Sequence, residues 1–199
     1  MNFLAHVYLS GDNDEIKVGN FIADWIKGSD FKKYSPGIQK GILLHRSIDS
    51  FTDNHPTCRK SKSRLAVNYG KYAGIIIDIF YDHFLANMWD SFSKVPLPQY
   101  AQNLYLLLGE KAHVFPADIR EFIPAFSRRR WLESYATIEG IEKVLAGMSR
   151  QTSLPNQTTA AIQILRDSYA DFTTEFLDYF PQLVAYVEEK FEVVVERVN

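Results

Sequence analysis

The chain has 199 residues, 46% of them apolar and 23% charged, and its 22 basic and 24 acidic side chains leave a formal net charge of −2. This is ordinary globular composition, long enough for one full hydrophobic core and short for two, and it excludes a disordered, collagen-like or low-complexity chain. The near-neutral balance gives no global sign of a nucleic-acid or membrane-surface partner, so neither is expected and any basic site is local.

Apolar residues recur three or four apart in nearly every long segment and sustained alternation is almost absent, so the chain reads as all-α, a single-domain helical bundle. Residues 1–15 lack a basic leader and turn acidic, which is not a signal-peptide pattern, and the single Cys58 fits a reducing compartment; the expected location is cytoplasmic. Residues 2–10 read as a short helix. A second helix is expected over 12–27, with Asp12 as N-cap, a stripe of Ile16, Gly19, Asn20, Ala23 and Ile26, and Gly28 as its stop. Ser35 followed by Pro36 marks a helix start, and that helix is expected to reach Asn54 before His55-Pro56. A basic helix follows to about Gly70, and 71–90 forms the next, central because it is apolar almost all round. Asp78, Asp82 and His83 interrupt it, whereas a membrane span needs ~20 mostly apolar residues. Further helices are expected over 97–112, 117–128 and 137–148, a loop over 153–159, and two helices over 158–180 and 181–198 joined or kinked at Pro181. The aromatic residues Trp131, Tyr135, Phe172, Phe176, Tyr179 and Phe180 serve a core or a ligand groove, with core packing the default.

The densest polar pattern lies on the helix ending at Asn54, where His45, Asp49 and Asp53 are spaced i, i+4, i+8 and share one face. Asp78 and Asp82 repeat that spacing inside the apolar run, with His83 directly after them. Acids in such surroundings are expected to be buried, and an unpaired buried carboxylate costs several kcal/mol unless it is neutralised, paired or bound to a metal. Arg46 offers an ion pair, but one arginine does not easily satisfy Asp24, Asp49, Asp53, Asp78 and Asp82 together, whereas a divalent cation does. Structural pairing and a metal site both stay open, the metal being favoured. His6 and Asp24 each stand alone in apolar surroundings, as a satisfied core residue or a ligand does. The mixed His/Asp set suits Mn²⁺, Mg²⁺ or Fe²⁺ better than a thiolate-rich zinc site, and the chemistry implied is metal-assisted hydrolysis.

Four pieces carry a more specific signal: MNFLAHVYL from Met1, GNFIAD from Gly19, GILLHRSIDSFTDNHP from Gly41 and DIFYDHFLA from Asp78. In this order they resemble the bacterial acyl carrier protein phosphodiesterases, over about the first 90 residues by motif, the rest being compatible in length and helical character. The resemblance implies an all-helical, HD-phosphohydrolase-like fold and a Mn²⁺-dependent hydrolase that cleaves the bond between 4'-phosphopantetheine and the serine of holo acyl carrier protein. The adjacent His-Asp dyad of the wider superfamily is absent; only the reversed Asp82-His83 and the spaced His45 and Asp49 occur. By resemblance the metal and catalytic shell is His6, Asp24, His45, Asp49, Asp78 and Asp82 as metal ligands with His83 as a catalytic group; Arg46 and Asp53 are added as further catalytic candidates, and Arg46 and His83 are expected to stabilise the phosphodiester oxygens. Carrier proteins of this type are acidic, so docking is expected on Arg59, Lys60, Lys62 and Arg64 or on Arg128, Arg129 and Arg130. The competing readings are a phosphohydrolase of a nucleotide or other small ester, and a helical interaction module with neither metal nor turnover.

Overall fold

The computed structural model describes residues 1–151 and 153–198, and among them every regular element is helical. In chain order these are α1 (Phe3–Tyr8), α2 (Asp14–Ile22), α3 (Pro36–Asn54), α4 (Pro56–Tyr69), α5 (Ala73–Asn87), α6 (Leu97–Glu110), α7 (Ala117–Arg128), α8 (Trp131–Ser134), α9 (Ile138–Gln151), α10 (Thr158–Asp167) and α11 (Tyr169–Phe191). Short 3-10 turns join several of them. Among the described residues no helix is long and apolar enough to cross a membrane. The core is built on α5, whose Ile76, Ile77, Ile79, Phe80 and Phe84 are buried, and on α11, whose Phe172, Phe176 and Tyr179 pack as rings against it while Phe180 stacks on Phe176. Trp131 and Tyr135 are buried as well, so these aromatic residues serve the core.

Several boundaries differ from the sequence expectation, each for a local reason. Asn13, not Asp12, caps α2, its Oδ1 accepting from the N–H of Ile16 at 3.0 Å. The α-helix ends at Ile22 and tightens into a 3-10 turn over Ala23–Trp25, because Arg46 donates to the carbonyls of Ile26 at 2.8 Å and Gly28 at 3.0 Å and satisfies them outside any helix. Ser35 precedes Pro36 as expected, yet its hydroxyl donates to Glu15 at 2.7 Å instead of capping α3. The four-residue α8 was not expected. The C-terminal break falls at Ser168, not at Pro181, which lies within α11; one missing donor is outweighed by the apolar face that continues through Phe180, Leu183, Val184 and Val187. Beyond Glu192, whose φ of 49° ends α11, the chain is not helical as expected but runs out without regular structure. Val193 and Val195 are buried while Val194 is 83% exposed, and the Glu196 carboxylate accepts from Ser93 Oγ and the N–H of Lys94. That alternation suits an extended strap rather than a helix.

Two glycines let α2 and α3 approach to backbone contact. A Cβ on Gly19 would lie 2.1 Å from the carbonyl oxygen of Ile38, and one on Gly41 would lie 2.2 Å from that of Ile16. The backbones of α2 and α3 therefore touch, and this sets Asn20, the next residue of α2, beside His45, one turn along α3. Gly41→Ala is expected to cost at least about 1–3 kcal/mol by overpacking, lowering the melting temperature by several degrees. An unchanged thermal melt would show that the helices part without cost.

Candidate metal centre

The N-terminal helix, the end of α2, the middle of α3 and the first turns of α5 enclose a cleft of about 260 Å³. Its floor is polar. His6 comes from α1, and His45 and Asp49 from one face of α3; one imidazole nitrogen of each histidine and one carboxylate oxygen lie within 4.8 Å of one another. Asp49 divides its oxygens, Oδ1 lying 3.1 Å from His6 Nε2 and Oδ2 3.1 Å from His45 Nε2. The imidazoles are stacked, with centroids 3.9 Å apart and planes 14° from parallel. Asp24, on the 3-10 turn that ends α2, brings Oδ1 to 3.2 Å from His45 Nε2.

The protons of this cluster are fixed by its surroundings. Asn20 is oriented by donating to the carbonyl of His6 at 2.7 Å and to Ser10 Oγ at 3.0 Å. Its main-chain and side-chain oxygens lie 2.9 and 3.1 Å from His45 Nδ1, which must be the N–H donor because both partners are acceptors. A neutral His45 would then aim the lone pair of Nε2 at two carboxylates. Burial alone would lower its pKa, but hydrogen bonds to Asp24 and Asp49 and their charge overcome this and raise it to about 9. For His6 burial wins, aided by the His45 cation and opposed by Asp49, and its pKa drops to about 4. Both acids resist the upward push of burial and stay below the usual carboxylate range, Asp49 far below it, because of the two histidines. His6 Nδ1 is buried without a hydrogen-bond partner among the described residues.

A divalent cation fits this arrangement. Cation–donor bonds of about 2 Å place ligand atoms ~3–4 Å apart; Asp49 meets each imidazole at 3.1 Å and the whole set lies within 4.8 Å, close enough for small shifts to close on an ion, and the imidazole and carboxylate donors match Mn²⁺, Fe²⁺ or Zn²⁺. A cation between them would replace the proton that His45 Nε2 otherwise needs.

The other sequence candidates are distributed differently. Asp78 lines the same cleft and pairs with the amino group of Met1 at 2.8 Å. Asp82, one turn along α5 and fully buried, accepts from the N–H groups of Asn2, Leu4 and Ala5 at 3.1, 2.7 and 3.4 Å. Burial pushes its pKa up to about 7 against the Met1 amino group and those N–H donors. His83 lies apart from the cluster, Nδ1 donating to the carbonyl of Tyr135 at 2.8 Å and Nε2 accepting from the Tyr169 hydroxyl at 2.9 Å. Arg46 holds the loop after Asp24 and covers the Phe31 ring, so the buried acids are not paired by it. Asp53 pairs with Lys62 at 2.6 Å on the exposed end of α3. Of the basic run on α4, Lys60 and Arg64 both bind the buried Glu175 of α11, while Arg59 reaches Asn54. Arg130 pairs with Glu133 at 2.9 Å. Sequence reasoning missed the role of Asn20 in setting the His45 proton; an asparagine on the buried stripe of α2 was its only signal.

A sequence profile described as acyl carrier protein phosphodiesterase matches residues 1–183. The chain is 32% identical to the acyl carrier protein phosphodiesterase of Photorhabdus laumondii over 191 residues, covering 96% of both chains. It is 28% identical to the enzyme of that name from Serratia proteamaculans and 29% identical to that from Yersinia pestis, in each case over 96% of this chain and 99% of the relative. No solved structure matches the chain.

Proposed function

The chain belongs to the acyl carrier protein phosphodiesterase family, and from that premise we propose that it is a cytoplasmic, metal-dependent phosphodiesterase, one helical domain that releases 4'-phosphopantetheine from holo acyl carrier protein. The observation that carries the metal is the convergence of His6, His45 and Asp49, with the Nδ1 proton of His45 tied to Asn20. His6, His45 and Asp49 hold the cation, and Asp24 completes the set from the cleft mouth, where its side chain is 64% exposed. Mn²⁺ is the ion assigned. When bound, it supplies Lewis acidity toward the phosphodiester oxygens and makes a water acidic enough to attack at neutral pH. In the hydrolysis the water oxygen bonds to phosphorus, the bond from phosphorus to the serine oxygen breaks, and a proton passes to that oxygen. The residues of the chain orient the reactants: Asn20 fixes the His45 ring, Arg46 holds the loop that follows Asp24, and Phe3, Ile75 and Met148 give the cleft an apolar wall for the pantetheine arm.

The test is to incubate the protein with holo carrier protein, with and without Mn²⁺, and follow the carrier's mass. Loss of the phosphopantetheine mass only with metal is the expected result. Metal binding without loss would turn the reading to a small phosphate ester, and no metal at all would leave a helical interaction module.

The docking site is set by where the bond lies. The scissile phosphate is attached directly to a serine of the carrier, so the carrier's body must rest on the rim of the cleft. Arg59, Lys62 and Lys71 border a shallow trough of about 380 Å³ that includes Asp53, one turn from Asp49, and Gly74, the neighbour of Ile75. An acidic carrier surface fits there. Reversing Arg59 and Lys71 to glutamate is expected to raise KM for holo carrier protein about tenfold or more at low salt, with the difference shrinking as salt is added. Hydrolysis of bis(4-nitrophenyl) phosphate should be unaltered; an unchanged KM for the carrier would remove docking from this trough.

A further inference from the structure

We propose that Asp82 is the positioning residue of His6: its carboxylate clamps the first turn of α1 onto α5 and so sets the imidazole that α1 presents to α3. A helix of six residues cannot hold itself in water, because nucleation costs more than so few hydrogen bonds return. The first-turn N–H groups of any helix also lack internal partners. Here each one is accounted for. Asn2 Oδ1 takes the N–H of Phe3 at 2.9 Å and is itself fixed by the Tyr135 hydroxyl at 2.7 Å, while Asp82 takes those of Asn2, Leu4 and Ala5. Both Asp82 oxygens are spent on main-chain donors, and the side chain is fully buried. His6 is the next residue after Ala5, its own N–H bonded to the carbonyl of Asn2 at 3.2 Å, so the clamped turn is the turn that carries it. Asp82 thus acts on the cleft through the backbone without reaching the cluster.

This inference rests on the proposed metal site only where metal affinity is the readout. The full chain, freed of metal, is titrated with Mn²⁺ by calorimetry and by the resonance of free Mn²⁺, for the wild type, Asp82→Asn, His6→Ala and the double variant. Asp82→Asn keeps the shape but sets an amide NH₂ against N–H donors, and it should weaken Mn²⁺ binding about 10–100-fold, as loss of an orienting partner does. In the His6→Ala background the same change should add less than about twofold, since nothing remains to be positioned. Hydrogen exchange at Leu4 and Ala5 should quicken in Asp82→Asn, and in the wild type it should slow when Mn²⁺ binds, by reciprocity of coupling. With carrier substrate, kcat should fall while KM stays.

Full additivity of Asp82→Asn and His6→Ala would overturn the proposal by showing that Asp82 acts independently of His6, and an unaltered affinity in Asp82→Asn would overturn it outright. Should Asp82→Asn not fold, the wild-type exchange decides: no slowing at Leu4 and Ala5 on binding Mn²⁺ counts against the clamp. A wild type that binds no Mn²⁺ would defeat the metal site instead. The clamp would then stand or fall on whether Asp82→Asn shifts the His6 ring resonances and the exchange of the two amides.

Discussion

Asp49→Ala is expected to remove both stoichiometric Mn²⁺ and turnover, with activity falling roughly a thousandfold or more, since a Lewis-acidic ion contributes several kcal/mol to such a transition state. No other residue of the cluster meets both imidazoles: one Asp49 oxygen faces His6 and the other His45, each at 3.1 Å. Without it, two stacked rings 3.9 Å apart are left with Asp24 alone, and a second cation in so small a space is repelled. The variant should remain folded, because the Asp49 side chain is 42% exposed on a helix held elsewhere by Ile42, Leu44 and Ile48. Metal content after gel filtration, together with the carrier mass assay, checks this. Asp53→Ala is the control for the metal: that carboxylate lies one turn away on Lys62, and its loss should leave the bound Mn²⁺ stoichiometric. A variant Asp49→Ala that kept metal and turnover would place the ion outside this cleft.

How far the sequence revealed this site depends on the range of each contact. His45 and Asp49 are four apart on one helix, so periodicity alone put them on one face. His6 and Asp24 could be joined to them only by resemblance, because what brings them there is tertiary: the α2–α3 backbone contact at Gly19 and Gly41, and the seating of α1 on α5. Asp78 and Asp82 show the limit most clearly. Burial was expected for both, and Asp82 is fully buried while Asp78 is only half-buried on the cleft wall; the need for neutralising partners was legible too, but a pattern of side chains does not count main-chain donors, and here the amino group of Met1 and the peptide N–H groups of Asn2, Leu4 and Ala5 meet that need. The basic run on α4 was equally visible, yet Lys60 and Arg64 find their counter-charge on Glu175, more than a hundred residues away. In the fold, Pro181 was over-read as a boundary while the apolar period through Leu183 and Val187 was under-read; at residues 193–195 the alternation was present in the sequence and was missed.

Mn²⁺ affinity is expected to rise about tenfold per pH unit from roughly pH 6.5 to pH 9, with close to one proton released per ion bound near pH 7. The proton comes from His45. Its Nδ1 hydrogen stays on the Asn20 oxygens, so only Nε2 can bind a metal, and in the metal-free protein Nε2 is protonated up to a pKa of about 9. His6 releases none in this range, being neutral down to about pH 4. The same shift fixes how the metal-free fold responds to pH. His45 has a folded pKa above its unfolded value near 6.5, so the stability it contributes is fully present below about pH 6.5 and is lost as pH rises through about 9. The ring is almost fully buried, and the shift corresponds to ~3 kcal/mol, of which Asp24 and Asp49 are the source. His6 has the opposite sign: its folded pKa lies below the unfolded one, so its contribution is intact above about pH 6.5 and erodes as pH falls through about 4. Metal-free protein should therefore melt lower at pH 9 than at pH 6.5, whereas saturating Mn²⁺ stabilises more as its affinity grows, and the gap between the two melting temperatures should widen across that window. Calorimetric titrations at pH 7 in buffers of different ionisation enthalpy count the proton directly. A count near zero would mean that the ion binds without displacing the His45 proton, and His45 would then be a counter-charge for Asp24 and Asp49 instead of a ligand.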